Sequence, residues 1–261
     1  MKLHLLSSGF AVLCASLSGS ALAQDIHAAH PSHHAQHPHH WSYTGATGTT
    51  HWSELEADFA TCKVGHAQSP INILGAVKAE LPAIGFNYAA TAGEVINNGH
   101  TIQVNLPPGS SVSLGGGTYQ LLQFHFHTPS EERINGKSFP LVAHMVHRNE
   151  EGKLAVVAVL FKLGKEHPVL AKIFAVMPHK EGGKAALPAL LNPADLLPAK
   201  QAYYSFMGSL TTPPCTEGVR WQVLEDPVEI SHAQLNAFHK LYRMNARPVQ
   251  PLNGRDVRES S

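Results

Sequence analysis

Residues 153–163 read KLAVVAVLFKL, and from Leu154 to Phe161 no side chain is polar. The run is too short to cross a bilayer. Its β-branched content and its length suit a strand buried on both faces, with packed layers above and below. Around it lie shorter strand patterns. NNGHTIQVNL, from Asn97 to Leu106, opens on an Asn-Gly turn and then alternates. PVLAKIFAVM puts Leu170, Ile173, Phe174 and Met177 on one helical face, and SHAQLNAFHKLY begins with Ser231 and Gln234 at capping-box spacing. No internal repeat is present. The chain has 261 residues, 43% of them hydrophobic, enough for one large domain with a core of its own. These patterns predict a sheet-centred domain with a few surface helices.

The segment YQLLQFHFHTPSEE, Tyr119 to Glu132, carries two histidines one residue apart. Its alternation is that of a strand, so Gln123, His125 and His127 share one face and Phe124 and Phe126 the other. Same-face neighbours lie about 6.6–7 Å apart along a strand, a span two imidazoles can bridge through one metal ion. Two ordinary strand histidines are the competing reading. A second strand, PLVAHMVH, places His144 and Val146 on one face and Met145 and His147 on the other. If the two strands are neighbours, His144 falls opposite the first pair. Three histidines would leave a tetrahedral metal with an open fourth position, the mark of a catalytic site. No H-E-x-x-H helix is present, which argues against a zinc peptidase of that type.

The formal net charge is zero and there is no basic block, which argues against nucleic acid as a partner. Residues 1–23 read as an export signal, with Lys2, an apolar stretch from Leu5 to Leu17, and Ala21-Leu22-Ala23 as the cleavage motif. Ala-Val-Leu before Cys14 does not look like a lipoprotein signal, so Cys14 leaves with the leader. No later segment is apolar for long enough to span a membrane, and a periplasmic or secreted location follows. In an oxidising compartment the remaining Cys62 and Cys215 are most simply one disulfide, with a two-thiolate metal site as the competing reading. Half the positions of residues 27–40, HAAHPSHHAQHPHH, are histidine without an apolar face. Residues 24–40 are therefore expected to form a disordered arm, either metal-collecting or a solvated linker. The folded domain, residues 41–261, is expected to start near Trp41.

Eight pieces occur in order along the domain: HHWSY, QSPINI, NNGH, QFHFHTPSE, AHMVH, LAVVAVLFKLG, GSLTTPPCTEGVRW and RPVQPLN. Together they resemble the α-class carbonic anhydrases of the exported bacterial type, over nearly all of the chain from Trp41 onward. The resemblance implies a mainly β (α+β) single domain, with a large, mostly antiparallel twisted sheet and short peripheral helices. The implied activity is zinc-dependent, reversible hydration of carbon dioxide to bicarbonate and a proton through zinc-bound hydroxide, with esterase activity as a side reaction. His125, His127 and His144 match the zinc ligands. Thr211 and Glu131 match the pair that orients the hydroxide, and His100 matches the proton shuttle. Val146, Val156, Leu210 and Trp221 match the apolar pocket for CO2, and Thr212 the position that contacts bicarbonate or inhibitor. Tyr43, Asn98 and Gln103 match polar positions on the water path. Gln123 and Asn245 match partners that orient His125 and His127. Cys62–Cys215 matches the disulfide of the exported members. Sulfonamides are the implied inhibitors, and a second copy of the chain, forming a homodimer, stays open as a partner.

The chain departs from the family pattern at two linked positions. The usual Glu two residues before the third ligand is Val142, and the usual His after Glu131 is Glu132. Either the carboxylate has moved from the strand to the loop and still faces His144, or Glu132 is solvated beside Arg133. Two further classes compete with the enzyme reading. One is a non-catalytic zinc reservoir, suggested by the histidine arm. The other is a Cu,Zn superoxide dismutase, whose additional His and Asp ligands have no counterpart in this sequence.

Overall fold

The computed structural model describes residues 40–260. The expected export signal and residues 24–39 of the expected arm lie outside the described residues.

Among the described residues, thirteen strands join one mixed sheet. Its centre runs Ile102–Asn105, Gly117–His127, Leu141–Arg148, Leu154–Leu163, Glu217–Leu224, Tyr203–Ser209. Most neighbours pair antiparallel. Leu154–Leu163 instead runs parallel to Glu217–Leu224 and to Val228–Ile230, and Arg258–Ser260 runs parallel to Val77–Ala79. A separate parallel pair joins Asn72–Ile73 to Arg133–Ile134.

The apolar run occupies the middle of this sheet and is buried on both faces. Ala155, Val157, Val159 and Phe161 enter one cluster with Phe124, Phe126, Leu141, Ala143 and Met145. Val156, Ala158 and Leu160 enter the other with Val142, Val146 and Trp221. The two-residue period of each strand thus sorts neighbouring side chains into different cores.

Two helices close the larger cluster. Pro168–Phe174 buries Leu170, Ile173 and Phe174; Met177 is buried too, but beyond the helix end. His232–His239 opens on the expected capping box, Ser231 Oγ accepting from Gln234 N at 3.2 Å and Gln234 Oε1 from Ser231 N at 3.2 Å. Gln234 also bonds both backbone groups of His167, tying the two helices together. Among the described residues no helix is long and apolar enough to cross a membrane.

Cys62 and Cys215 form a disulfide. It links the helix Thr61–Val64 to the loop that precedes the strand Glu217–Leu224, and excludes the two-thiolate metal site.

Candidate metal centre

The sheet register assembles the site. His144 pairs directly with His125, and Gln103 and Ala158 continue the same cross-strand row on either side. His127 faces Val142 in the next row, and Gln123, Val146, Val156 and Trp221 form the row on the other side. The shift of register between Leu121 and Gln123 sets this alignment. One nitrogen from each of His125, His127 and His144 lies within 4.8 Å of the others.

Each of these rings has one nitrogen already engaged. His125 Nδ1 donates to Gln123 Oε1 at 2.9 Å, and His127 Nδ1 donates to the Asn245 carbonyl at 2.7 Å. His144 Nε2 donates to Glu132 Oε2 at 3.1 Å. A neutral imidazole that donates from one nitrogen keeps a lone pair on the other. The lone pairs are therefore on Nε2 of His125, Nε2 of His127 and Nδ1 of His144. His127 Nε2 is buried without a hydrogen-bond partner among the described residues. An orphaned acceptor of this kind, inside a set of three oriented imidazoles, suits a divalent metal such as zinc.

Electrostatics keep the lone pairs of His125 and His127 available. Burial, then the neighbouring His144, push His125 down to about 3. Burial and both other rings hold His127 well below the ordinary histidine range, against the raising effect of its bond to Asn245. Burial also acts to lower His144, but the charge and hydrogen bond of Glu132 and the charge of Glu131 outweigh it, so its net shift is upward.

Glu131 sits behind the triad, with Oε1 3.5 Å from His127 Nδ1 and Oε2 3.7 Å from His144 Nδ1. Burial raises its carboxyl to about 7, with the Glu132 charge adding to the rise; the His144 charge, the Arg247 N–H and the Thr211 hydroxyl oppose it by favouring the ionised form. Thr211 is itself buried. The Asn245 side chain has a different job from its carbonyl. Its Oδ1 accepts from Thr128 N at 2.7 Å, and its Nδ2 donates to the carbonyls of His100 and Phe126.

An apolar wall lies beside the triad. The Trp221 ring meets His144 edge-on, with centroids 4.9 Å apart, and its Nε1 donates to Ser209 O at 3.0 Å. Val146 and Val156 are buried next to it, and Leu210 packs on the same cluster half-buried. There is no space for a side chain at Gly208, where a Cβ would meet the Ser69 hydroxyl and the Trp221 ring. Thr212 is half-buried, and its carbonyl accepts from Cys215 N at 2.8 Å.

Three polar residues sit around this core of the site. Asn98 Nδ2 donates to Gln103 Oε1 at 3.4 Å, and Asn98 Oδ1 caps the turn by accepting from His100 N and Thr101 N. Burial, reinforced by the Glu131 charge, raises the Tyr43 phenol well above its ordinary value. His100 is outside the triad. Its ring lies flat on Trp41, with centroids 3.6 Å apart, and stacks at 4.9 Å on His40. Burial and His40 lower it to about 4, with Glu181 opposing.

Arg247 is the residue that sequence reasoning did not single out. Its N–H donates to Glu131 Oε1 at 2.7 Å, while its buried guanidinium bonds Gln68 Oε1, Ser69 O and Cys62 O. One residue therefore ties Glu131 to the disulfide region. Its motif, RPVQPLN, was visible as a match, but an arginine between an alanine and a proline carries no local sign of burial.

A family model described as "Eukaryotic-type carbonic anhydrase" matches residues 47–261. A carbonic anhydrase of Neisseria gonorrhoeae is 47% identical over 234 residues, covering 89% of this chain and 90% of its own. One of Pectobacterium carotovorum is 44% identical over 218 residues, covering 83% of this chain and 89% of its own. Among solved structures, the α-carbonic anhydrase of Thermovibrio ammonificans in complex with the inhibitor sulfanilamide is similar at a TM-score of 0.83. It is 47% identical, and the match covers 85% of this chain and 99% of that one.

Proposed function

The chain belongs to the eukaryotic-type, or α-class, carbonic anhydrase family and is a carbonic anhydrase, and on that footing we propose that it hydrates CO2 reversibly at a zinc ion held by His125, His127 and His144. The observation that carries this reading is the convergence of three imidazoles, His127 and His144 buried and His125 half-buried, each with one nitrogen engaged and the other free. A bound zinc lowers the pKa of its water to about 7, a value that belongs to carbonic anhydrases in general, and so supplies a nucleophile at neutral pH.

The remaining work falls to side chains of this protein. Thr211, with its hydroxyl hydrogen bond given to Glu131, has only lone pairs to offer and accepts a hydrogen bond from the reactant beside the triad. Arg247 N–H and the Thr211 hydroxyl favour the ionised form of Glu131 that this role requires. Val146, Val156, Leu210 and Trp221 supply an apolar wall for an uncharged substrate, and Thr212 contacts bicarbonate at its edge. Tyr43, Asn98 and Gln103 line the path by which a proton leaves.

His100 is the acceptor for that proton. Flat on Trp41 and held near 4, its imidazole is too weak a base for a donor near 7. Turned off the indole into water, it regains an ordinary value near 6.5. The stacked pose is thus a resting pose, and transfer requires the ring to leave it. Trp41→Ala is expected to move the His100 titration, followed by its ring proton resonances, upward from about 4 toward the ordinary histidine range. The sign for stability follows. A histidine whose pKa is lowered by folding binds fewer protons in the folded state, so its contribution is lost as pH falls from about 6.5 toward 4. The Trp41 variant should lose less stability over that window. A His100 titration unchanged by the substitution contradicts the stacking account.

We place the protein in the periplasm or outside the cell, after removal of residues 1–23, with residues 24–40 as an arm ahead of a domain spanning 41–261. Disulfide formation is compatible with that location. A sulfonamide, of the class bound by the Thermovibrio relative, is expected to inhibit. Stopped-flow CO2 hydration combined with metal analysis tests the function. About one zinc per chain, loss of hydration on chelation and recovery on zinc addition are expected for a three-histidine site. Full activity in metal-free protein overturns the proposal.

A further inference from the structure

We propose that Glu132 is the positioning carboxylate of His144, a role moved onto the loop from the strand position that this chain fills with Val142. The inference rests on the zinc reading above and concerns how this particular chain holds its third ligand.

A histidine that gives one nitrogen to a metal needs an acceptor for the N–H on the other, because that bond sets the tautomer, fixes the ring plane and raises its basicity. Val142 cannot be that acceptor. It lies on the same face as His144, two residues earlier, fully buried in the apolar cluster with Trp221 and Leu160. Glu132 supplies the acceptor instead. Its Oε2 is 3.1 Å from His144 Nε2, and the whole residue is 0% exposed. Its other oxygen has no hydrogen-bond partner among the described residues, so the bond to His144 is the one that holds the carboxylate.

The loop is built to aim this side chain. Ser130 Oγ donates to the Glu132 carbonyl at 2.7 Å and accepts from Phe139 N at 2.9 Å. Ser130 N donates to Phe139 O at 2.8 Å, and Arg133 N, on the far side, donates to Ile71 O at 3.2 Å. Glu132 is therefore clamped on one side, through Ser130, to the backbone at Phe139 that leads into the strand carrying His144, and on the other, through Arg133, to Ile71 ahead of Asn72–Ile73. Arg133 is exposed and Glu132 is not, which rules out a solvated pair of the two. Consecutive residues of one loop then serve two tasks: Glu131 faces Thr211 and Arg247, and Glu132 orients the metal ligand.

In the metal-free protein the bond to His144 is offset by the burial of the Glu132 carboxylate and its repulsion with Glu131, so its net contribution to stability there is small while it still aims the ring. This separates a positioning role from a merely structural one. The zinc-loaded full chain and its Glu132→Gln variant are compared by the rate at which a chelator in excess removes zinc, and the metal-free forms by thermal melting. Glutamine keeps the volume and an acceptor oxygen but not the charge. The expected result is zinc loss about 10–100-fold faster, with a metal-free melting temperature equal to or above that of the wild type. Zinc loss within twofold of the wild type overturns the proposal, as does a lower metal-free melting temperature without faster zinc loss. In case the variant does not fold, hydrogen exchange at His144 Nε2 in the zinc-loaded wild type is a second measurement. A protected N–H is expected, and one that exchanges as fast as an exposed imidazole overturns the proposal. Absence of zinc from the wild type overturns the underlying function reading instead, so the two failures are distinguishable.

Discussion

His125→Ala is expected to abolish stoichiometric zinc binding and, with it, CO2 hydration. His125 is central to the triad: its register partner is His144, and its ring lies 5.0 Å from that of His127 and 5.6 Å from that of His144. Removing it leaves two ligands for a metal that holds four positions, three of them from protein in catalytic sites. Loss of an outer partner costs about 10–100-fold in affinity or activity, and loss of a ligand should exceed that range. The fold should survive, because the side chain is on the site face while Phe124 and Phe126 on the opposite face carry the packing. Metal analysis of the purified variant, circular dichroism and stopped-flow hydration check the three parts of this expectation. A folded variant that keeps one tightly held zinc and full activity rules out the triad as the metal site.

Breaking the Cys62–Cys215 disulfide should produce the largest change in stability. The two cysteines are 153 residues apart, and closing a loop of this size constrains the unfolded chain by on the order of 4–5 kcal/mol, an upper estimate. For a domain of this length that corresponds to roughly 10–15 °C in melting temperature. The effect should reach the site as well. Cys215 N donates to Thr212 O, and the Cys62 carbonyl accepts from the Arg247 guanidinium. Loss of the link therefore loosens both the Thr211 loop and the segment whose N–H holds Glu131. Calorimetry of a Cys62→Ser/Cys215→Ser variant, with hydration measured well below its melting point, tests both statements. An unchanged melting temperature contradicts the first, and unchanged activity the second.

What was legible in the sequence is what short-range chemistry dictates. The alternation in QFHFH set His125 and His127 on one face and the two phenylalanines on the other, because side chains of a strand alternate by covalent geometry. The unbroken apolar run required cover on both faces, and two separate clusters supply it. Ser231 and Gln234 formed their capping box because both partners lie within one helical turn. The ordered family motifs added the expectation of which distant residues would meet.

Tertiary structure decided the rest, since those contacts join residues far apart in the chain. The pairing of His144 with His125 depends on which strands become neighbours and on the register shift at Leu121/Gln123, which no local pattern encodes. The inward turn of Glu132 depends on the Ser130–Phe139 clamp; read along the chain, a glutamate next to an arginine is equally well a solvated pair. The stacking of His100 on Trp41 and the burial of Arg247 between Glu131 and Cys62 arise only when the N-terminal segment folds against the sheet. Period and composition determined which faces of each strand would be polar or apolar. Which polar groups then found one another, and so which nitrogens were left free for a metal, was decided by packing, because a buried donor or acceptor takes the partner the finished fold brings within reach.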